Sequence, residues 1–144
     1  MYYNEKTVLL KNGTECTLRN PRESEALECD DRMLLAAWIN DKIIGSIGVN
    51  RVSPHSKMQH RAQFGISIEQ EYWNVGLGTI LIEAALVAAR NMGCEQMELG
   101  VYSDNGKARA LYRKLGFEEW GAIRNAYRLK DGTYCDEIIM GRRL

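Results

Sequence analysis

Residues 66–79 read ISIEQEYWNVGLGT and join two elements of different period. The stretch ends a run in which Phe64, Ile66 and Ile68 alternate with small or polar residues, so the three side chains share one face of a predicted strand. Residues 79–92 then carry apolar side chains at most positions, and that density over that length favours a largely buried helix. A strand that leads directly into a buried helix predicts a sheet with a helix packed against it.

Turn signals extend the prediction outward from this stretch. Asn12-Gly13 and Asn40-Asp41 each separate two short apolar runs and predict two hairpins, and Asp131-Gly132 predicts a later turn. The predicted strands span residues 7–10, 15–18, 34–39, 42–49, 62–68, 96–102, 117–120, 126–129 and 137–144, and the predicted helices span 79–92 and 105–115. The order, two hairpins followed by β-α-β-α and the closing strands, predicts an α/β (α+β) fold with a mixed sheet.

Composition is that of an ordinary globular chain. The 144 residues include 19 basic and 19 acidic side chains, and 45% of them are hydrophobic. This length is typical of one domain, so residues 1–144 are expected to form a single domain. Balanced charge provides no field that would attract nucleic acid or an anionic membrane. Without an apolar spanning run or a signal-peptide pattern, a cytoplasmic protein is expected.

The cysteines show no spacing typical of a metal site. Cys16, Cys29, Cys94 and Cys135 are scattered without a CxxC pair. An intracellular chain of this kind is expected to keep its thiols free, and no metal ion is expected.

Glycines at positions 76 and 78 precede the buried helix directly. Glycine allows a sharp turn and leaves no β-carbon in the way of a ligand, and the first amides of a helix suit a pyrophosphate. Taken alone this signal is weak, because such a turn is often only a connection between strand and helix. The dinucleotide-binding spacing fails, since Leu81 stands where a third glycine would fall, and no P-loop lysine follows.

A second motif, read together with the first, makes the sequence signal more specific. Residues 105–117 read NGKARALYRKLGF and predict a helix closed by Gly116. A Gly-x-Gly helix start followed by this Asn-x-x-Ala-x-x-Leu-Tyr-x-Lys-x-Gly-Phe segment resembles the GNAT acetyltransferases, closely over about residues 60–120. The resemblance implies a GNAT-like, mostly antiparallel central sheet flanked by helices. It also implies a transferase that moves an acetyl group from acetyl-CoA to a primary amine of a small molecule or peptide.

The resemblance also implies which residues bind acetyl-CoA. The backbone of the strand end would pair with the pantetheine arm, the glycine loop would hold the pyrophosphate, and the second helix would contact pantetheine and the adenosine phosphates. Trp73 stands where the family often has Arg or Gln. The implied cofactor-binding residues are Ile66, Ser67, Ile68, Trp73, Asn74, Val75, Gly76, Leu77, Gly78, Thr79, Asn105, Lys107, Ala108, Tyr112 and Lys114.

Tyr112 is the candidate catalytic residue. When an amine attacks a thioester, the sulfur leaves as a thiolate, and a phenol nearby can hydrogen-bond it and pass on a proton. The acceptor amine must first lose a proton, because a lysine-like amine with pKa near 10.4 is almost wholly charged at neutral pH. Glu69 and Glu71 are candidate bases or merely solvated turn residues, whereas Gln63 occupies a strand position where many relatives carry Glu. The sequence leaves the base open.

The C-terminal residues allow two interpretations. Tyr134, Asp136 and Glu137 resemble the final hairpin of amine-directed relatives, where they would line an acceptor cleft, but charge is also common on edge strands. The helical segment between the first two hairpins is short, within residues 21–32, so the acceptor side is either pared down or lacks an omitted stretch. The alternative function is a non-catalytic acetyl-CoA-binding module that acts as a sensor or binds a partner. A homodimer is compatible with the sequence.

Overall fold

The computed structural model describes residues 4–21 and 31–144. The shortened helical segment that the sequence allows, and Cys29 within it, lie outside the described residues. Within the described ranges, no helix combines the length and the apolar character needed to cross a bilayer.

Eight strands in the described part of the chain form one sheet. They are β1 (Lys6–Leu9), β2 (Glu15–Arg19), β3 (Arg32–Ile39), β4 (Lys42–Arg51), β5 (Arg61–Ile68), β6 (Gln96–Tyr102), β7 (Glu118–Arg128) and β8 (Tyr134–Arg143). Their order across the sheet is β1-β2-β3-β4-β5-β6-β8-β7, and only β5 and β6 run parallel to one another. The predicted mixed, mostly antiparallel sheet is therefore confirmed.

The two predicted hairpins at the N-terminal side are present. Gly13 turns between β1 and β2 with φ 85°, and Asn40 turns between β3 and β4 with φ 54°. Both values lie in the left-handed region, which glycine adopts readily and asparagine tolerates better than other residues. The turn signals in the sequence therefore reflect a backbone requirement.

Both predicted helices are present among the described residues: α1 (Leu77–Asn91) and α2 (Gly106–Lys114). Helix α1 begins two residues before the predicted start, because Gly76 with φ 88° occupies the N-cap and Leu77 already turns into the core. Helix α2 begins after Asn105, whose side chain accepts a hydrogen bond from the Ala108 amide at 3.1 Å. This bond satisfies one amide that the first turn would leave without a partner.

The last part of the sheet differs from the prediction. Residues 117–120 and 126–129 were predicted as separate strands, yet Glu118–Arg128 forms a single strand. The polar residues in between are accommodated by an irregularity between Ile123 and Tyr127, where Asn125 has φ 53° and its amide donates to Asp136 Oδ1. The prediction was wrong because β7 is an exposed edge strand, where an interruption of the apolar pattern costs little burial.

Both helices pack on the same face of the sheet. Along β5, Ala62 and Phe64 are buried and Ile66 and Ile68 pack against the same core, as predicted. Helix α1 adds Leu81 and Ile82, each fully buried, and burial of such a side chain stabilises the fold by about 1.5–3 kcal/mol. The alternating residues of β5 are exposed on the opposite face, which is called the open face here: Gln63, Gly65 and Ser67.

Strands β5 and β6 pair over only three positions, the last of which joins Gln63 to Glu98. Beyond this point β5 continues to pair with β4, and β6 continues to pair with β8, but β5 and β6 no longer pair with each other. The wedge between residues 64–68 of β5 and 99–102 of β6 is called the gap. It divides the sheet into a part formed by β1 to β5 and a part formed by β6, β8 and β7.

Candidate active site

The edge of β5 presents main-chain groups to the gap. Val52 N–H donates to Arg61 O and Glu69 N–H donates to Ile44 O, both at 2.9 Å, so the odd-numbered residues of β5 bond to β4. In an antiparallel ladder the intervening residues turn their N–H and C=O groups the other way. Phe64, Ile66 and Ile68 therefore offer theirs to the gap. Strands of this kind can pair with an extended ligand as if with another strand.

The segment from Trp73 to Thr79 brings free amides to the same place. The first hydrogen bond of α1 runs from Ile80 N–H to Gly76 O, so the amides of residues 77–79 have no partner within the helix. Asn74 and Gly76 both adopt positive φ, of 60° and 88°, and so bend the chain sharply before the helix. A helix start with several such amides attracts an anion.

Trp73 has a structural contact that the sequence did not indicate. Its indole Nε1 donates to Ile68 O at 2.8 Å, and half of the side chain remains exposed. The indole thus ties the glycine loop to the end of β5 and uses one of the carbonyl groups that face the gap. Trp73 therefore helps to hold the glycine loop in place through the hydrogen bond of its indole.

A cleft of about 950 Å³ joins these groups to helix α2. Twelve of the fifteen predicted cofactor-binding residues line it: Ile66, Ile68, Trp73, Asn74, Gly76, Gly78, Thr79, Asn105, Lys107, Ala108, Tyr112 and Lys114. The other three lie beside it for separate reasons. Ser67 turns its main chain toward β4, Val75 O accepts a hydrogen bond from a neighbouring turn, and Leu77 is buried in the core.

Lys11 is a cleft residue that sequence reasoning missed. Its amide donates to Val75 O at 2.9 Å, which docks the β1–β2 turn on the glycine loop. Its side chain lies over Gly76, where an added β-carbon would be 3.4 Å from Lys11 Cε. No local pattern could reveal this contact, because more than sixty residues of chain separate the two positions. The exposed lysines Lys107 and Lys114 add charge on the side of α2.

Tyr112 projects from α2 toward the start of the gap. Its ring packs edge-on against Phe64, with centroids 6.0 Å apart, and against Phe117, with centroids 6.1 Å apart. Only 8% of the residue is exposed, and burial raises the pKa of the phenol. Among residues 4–21 and 31–144, no hydrogen bond involves its hydroxyl, and the residue lines the cleft. The site therefore holds a protonated phenol beside the point where the strands separate.

The carboxylates named in the sequence are distributed differently. Glu69 pairs with Lys42 at 3.2 Å, and Glu71 lies 4.0 Å from the same lysine, both at the surface. Asp136 accepts the Asn125 amide within the sheet edge. Glu137 lies on β8 and faces the open face of the sheet.

No group of three or more His, Cys, Asp or Glu side chains in the described ranges is placed to hold a metal ion. Cys16, Cys94 and Cys135 are free and buried.

Known proteins share both the sequence motifs and the fold. The model of the acetyltransferase (GNAT) family matches residues 6–117. The L-amino acid N-acetyltransferase AaaT of Escherichia coli is 30% identical over 109 residues, which cover 75% of this chain and 66% of AaaT. The [ribosomal protein bS18]-alanine N-acetyltransferase of E. coli is 38% identical over 77 residues, or 54% of this chain and 51% of the relative. The chain thus spans less than two thirds of the length of these curated relatives.

Solved structures agree with this assignment. A GNAT-family acetyltransferase from Streptococcus pneumoniae superimposes with a TM-score of 0.77 at 29% identity, covering 84% of this chain and 72% of that one. The yncA protein of Salmonella typhimurium, a putative acetyltransferase solved with its cofactor acetyl-CoA, shares the fold with a TM-score of 0.71 at 20% identity, covering 78% and 65%. With a split sheet, a glycine loop at a helix start and a family match over most of its length, the chain belongs to the GNAT acetyltransferase family.

Proposed function

We propose that this chain is an acetyl-CoA-dependent N-acetyltransferase that acetylates a primary amine of a small molecule or peptide. The observation that supports this most directly is the meeting of three features in one cleft. The unpaired edge of β5, the free amides at the start of α1 and the phenol of Tyr112 all border the same space. Each feature corresponds to one part of the donor: its amide-containing arm, its diphosphate and its reactive sulfur.

The cleft has main-chain groups and positive charges suited to binding acetyl-CoA. Main-chain groups of Ile66 and Ile68 pair with the amide-containing arm, which enters the gap as an extra strand. The amides of residues 77–79 bind the diphosphate, and Lys11 adds a positive charge above Gly76. Lys107 and Lys114 line the same cleft and are exposed, which supports a role for them in binding the phosphate of the adenosine. The remaining predicted residues shape the loop and the walls.

Bound acetyl-CoA supplies a thioester whose carbonyl carbon accepts the amine and whose sulfur leaves. Tyr112 stabilises the departing sulfur by a hydrogen bond and gives it a proton as charge develops. Because burial raises the pKa of this phenol, the proton is present throughout the neutral range. A thiol near pKa 8.5 is a stronger acid than a phenol near 10, so the transfer is driven by the charge that forms on sulfur and not by the acidity of tyrosine.

Calorimetry and turnover test the proposal together. The purified chain is titrated with acetyl-CoA and with dephospho-CoA, and is then assayed for thiol release with the twenty L-amino acids, phosphinothricin and a peptide that begins with alanine. Binding in the micromolar range together with turnover of at least one amine supports the enzyme. Weaker binding of dephospho-CoA supports the roles of Lys107 and Lys114. Binding without turnover of any amine would favour the non-catalytic acetyl-CoA-binding module, and absence of binding contradicts both.

The names of the relatives guide the acceptor panel only as far as their chemistry is shared. AaaT is named for L-amino acids and the bS18 enzyme for an alanine, and both names specify acetylation at nitrogen. A primary amine is the acceptor class common to them. A homodimer remains a proposal, for which the exposed Trp120 and Ile123 on edge strand β7 offer a contact. Light scattering after size exclusion measures the mass directly.

A further inference from the structure

The open face of the sheet contains a carboxylate at the gap whose role the proposed function does not assign. An acceptor amine arrives mainly as an ammonium ion, because its pKa lies well above 7. It must lose a proton before its lone pair can attack the thioester. A group that takes this proton has to lie beside the gap, must not be neutralised by a protein cation, and must be reachable from outside.

Glu98 lies beside the gap but is committed to another partner. Arg61 holds both carboxylate oxygens, with Nε and Nη2 at 2.6 and 2.7 Å, and Gln96 donates to the same group at 2.9 Å. The hydrogen bonds from Arg61 lower the pKa of Glu98. A carboxylate held in this way is a poor proton acceptor. Gln63, its partner across the last paired position, is an amide and accepts no proton.

Glu137 meets the three requirements. It lies on β8 beside β6, and its carboxylate fills the space that a side chain at position 100 would occupy. A β-carbon added to Gly100 would lie 2.6 Å from Glu137 Oε2 and 2.7 Å from Cδ. Gly100 is the second residue of β6 beyond the last pair with β5, so the carboxylate lies over the wall of the gap. Among the described residues, none of the ion pairs includes Glu137.

Two tyrosines complete the surroundings of this carboxylate. The Tyr127 hydroxyl donates to Glu137 Oε2, and this bond raises the pKa of Tyr127 to about 12, so the phenol remains the donor at neutral pH. The Tyr102 ring lies 4.1 Å from the Tyr127 ring, centroid to centroid, and 45% of Tyr102 is exposed. Aromatic faces next to a carboxylate attract an ammonium group. Cys135 on β8 and the Glu98–Arg61 pair on β6 and β5 are the other titratable groups nearby.

A trough on the open face ends at the β5 side of the gap. Leu34, Gly48 and Gly65 lie opposite one another across β3, β4 and β5, and they line a cavity of about 470 Å³. A β-carbon at Gly65 would meet nothing within 4 Å. Gly65 and Gly100 are each two residues beyond the last pair of β5 and β6, so they flank the gap from either side. The trough therefore gives an acceptor a route to the gap from the face opposite the helices.

We propose that Glu137 binds the acceptor ammonium and accepts its proton, and that Tyr127 positions the carboxylate for this step. The inference rests on the proposed function. The ammonium N–H bond breaks and a carboxyl O–H bond forms, which leaves a neutral amine. Its lone pair forms the N–C bond as the C–S bond breaks, and the sulfur gains a proton from Tyr112. The nitrogen passes its second proton through water to the Tyr112 phenolate, and Glu137 gives its proton to solvent. Overall, the reaction releases one proton to solvent for each amide formed.

The pH dependence of the Glu137→Gln variant tests this role. In the wild type, kcat/KM for the amine is expected to change little between about pH 6 and 8, because the protein itself removes the proton from the ammonium form of the acceptor. In the variant only neutral amine reacts, so kcat/KM falls by about 100- to 1000-fold at pH 7 and rises tenfold per pH unit toward the pKa of the amine. Affinity for acetyl-CoA stays unchanged. A Glu83→Gln variant, altered on the exposed side of α1, controls for the loss of one charge.

Two further variants separate the role of the carboxylate from its effect on folding. Gly100→Ala keeps Glu137 but displaces its carboxylate, so kcat/KM for the amine is expected to fall at least tenfold, whereas Gly121→Ala, with nothing within 4 Å, should leave it unchanged. Tyr127→Phe is expected to lower kcat/KM by about three- to tenfold, with the plateau of the pH profile retained. Wild-type rates and an unchanged profile in Glu137→Gln would overturn the inference.

Failure of the proposed function gives a different pattern. If wild-type protein turns over no amine, the enzyme assignment falls, and glycinamide is then titrated into the protein saturated with CoA. Loss of glycinamide binding in Glu137→Gln, against retention in Glu83→Gln, still supports Glu137 as the ammonium site. Equal binding to both variants, or no binding to the wild type, overturns it.

Discussion

At Tyr112, the surrounding rings fix the phenol while leaving its hydroxyl to the cleft. Tyr112→Phe removes one oxygen and keeps the packing against Phe64 and Phe117. Since the lost group is proposed to act on the leaving sulfur and not on the donor's phosphates, turnover is expected to fall about 10- to 1000-fold. The dissociation constant for acetyl-CoA should change less than threefold, because one weak hydrogen bond contributes only about 0.5 kcal/mol to binding.

Steady-state kinetics and calorimetry on the same preparations check this expectation. Unchanged turnover in Tyr112→Phe would remove the acid role. A large loss of acetyl-CoA affinity would instead assign the hydroxyl to ground-state binding.

Lys11 carries a prediction of its own. The methylene groups of its side chain lie over Gly76 at the start of α1, so Lys11→Ala removes a positive charge next to the proposed diphosphate site. Acetyl-CoA affinity is expected to fall about three- to thirtyfold, and the loss should shrink at high salt because the contact is partly exposed. Lys6→Ala, on the exposed strand β1, is the matched control. Equal affinities for the two variants in calorimetry at low salt would contradict a phosphate contact.

At the scale of elements, the ion pair between Arg61 and Glu98 joins β5 to β6 just before the gap opens. The Glu98 side chain is 12% exposed and that of Arg61 33%, so the pair is partly shielded from solvent. Glu98→Gln breaks it and leaves Arg61 with weaker partners. The free energy of unfolding is expected to fall by about 1–2 kcal/mol at pH 7, less than for a fully buried pair.

The sign of the pH dependence follows from the lowered pKa of Glu98. A carboxyl group with a pKa below its unfolded value adds stability above that unfolded value, near 4.3, and loses it as the pH falls through the folded pKa. The difference between wild type and Glu98→Gln should therefore be full at pH 7 and shrink below about pH 4. Urea unfolding at both pH values measures it, with Glu95→Gln, exposed nearby, as control. A difference independent of pH would assign the effect to packing.

The elements near the glycine loop could be predicted because their signals are local. Alternation in β5, the buried period of α1 and the segment around Tyr112 each lie within fifteen residues of continuous chain. The position of Lys11 beside Gly76 could not be predicted, because a turn docks there on a loop that is distant in the sequence. The position of Glu137 above Gly100 could not be predicted either, because it results from the pairing of β6 with β8. Strand β7 was predicted as two strands because its apolar pattern is interrupted. In the structure the strand continues through this interruption with an irregular register, which no local pattern encodes.

At the scale of the whole molecule, the proposed function assigns the two substrates to the two faces of the sheet. The cleft beside the helices is the proposed site of acetyl-CoA, and the trough and Glu137 on the open face are the proposed site of the amine. The gap is the place where two neighbouring strands diverge beside both the cleft and the trough, since Ile66 and Ile68 line the first and Gly65 lines the second. In the proposed reaction, the amine and the thioester therefore meet within the gap, with Tyr112 on the side of the helices and Glu137 on the open face.

Acetyl-CoA is expected to stabilise the whole chain, because the cleft joins residues from β1, β5, α1 and α2. At a ligand concentration one hundred times the dissociation constant, the free energy of unfolding rises by about 2.7 kcal/mol. For a chain of this length that corresponds to an increase in Tm of about 6–12 °C.

Residues 1–144 are proposed to be a single domain, so scanning calorimetry should show one transition that moves as a unit. Tyr112→Phe should give the same shift and Lys11→Ala a smaller one. A second transition that ignores the ligand would contradict the single domain, whereas a single transition that does not move would contradict the binding site.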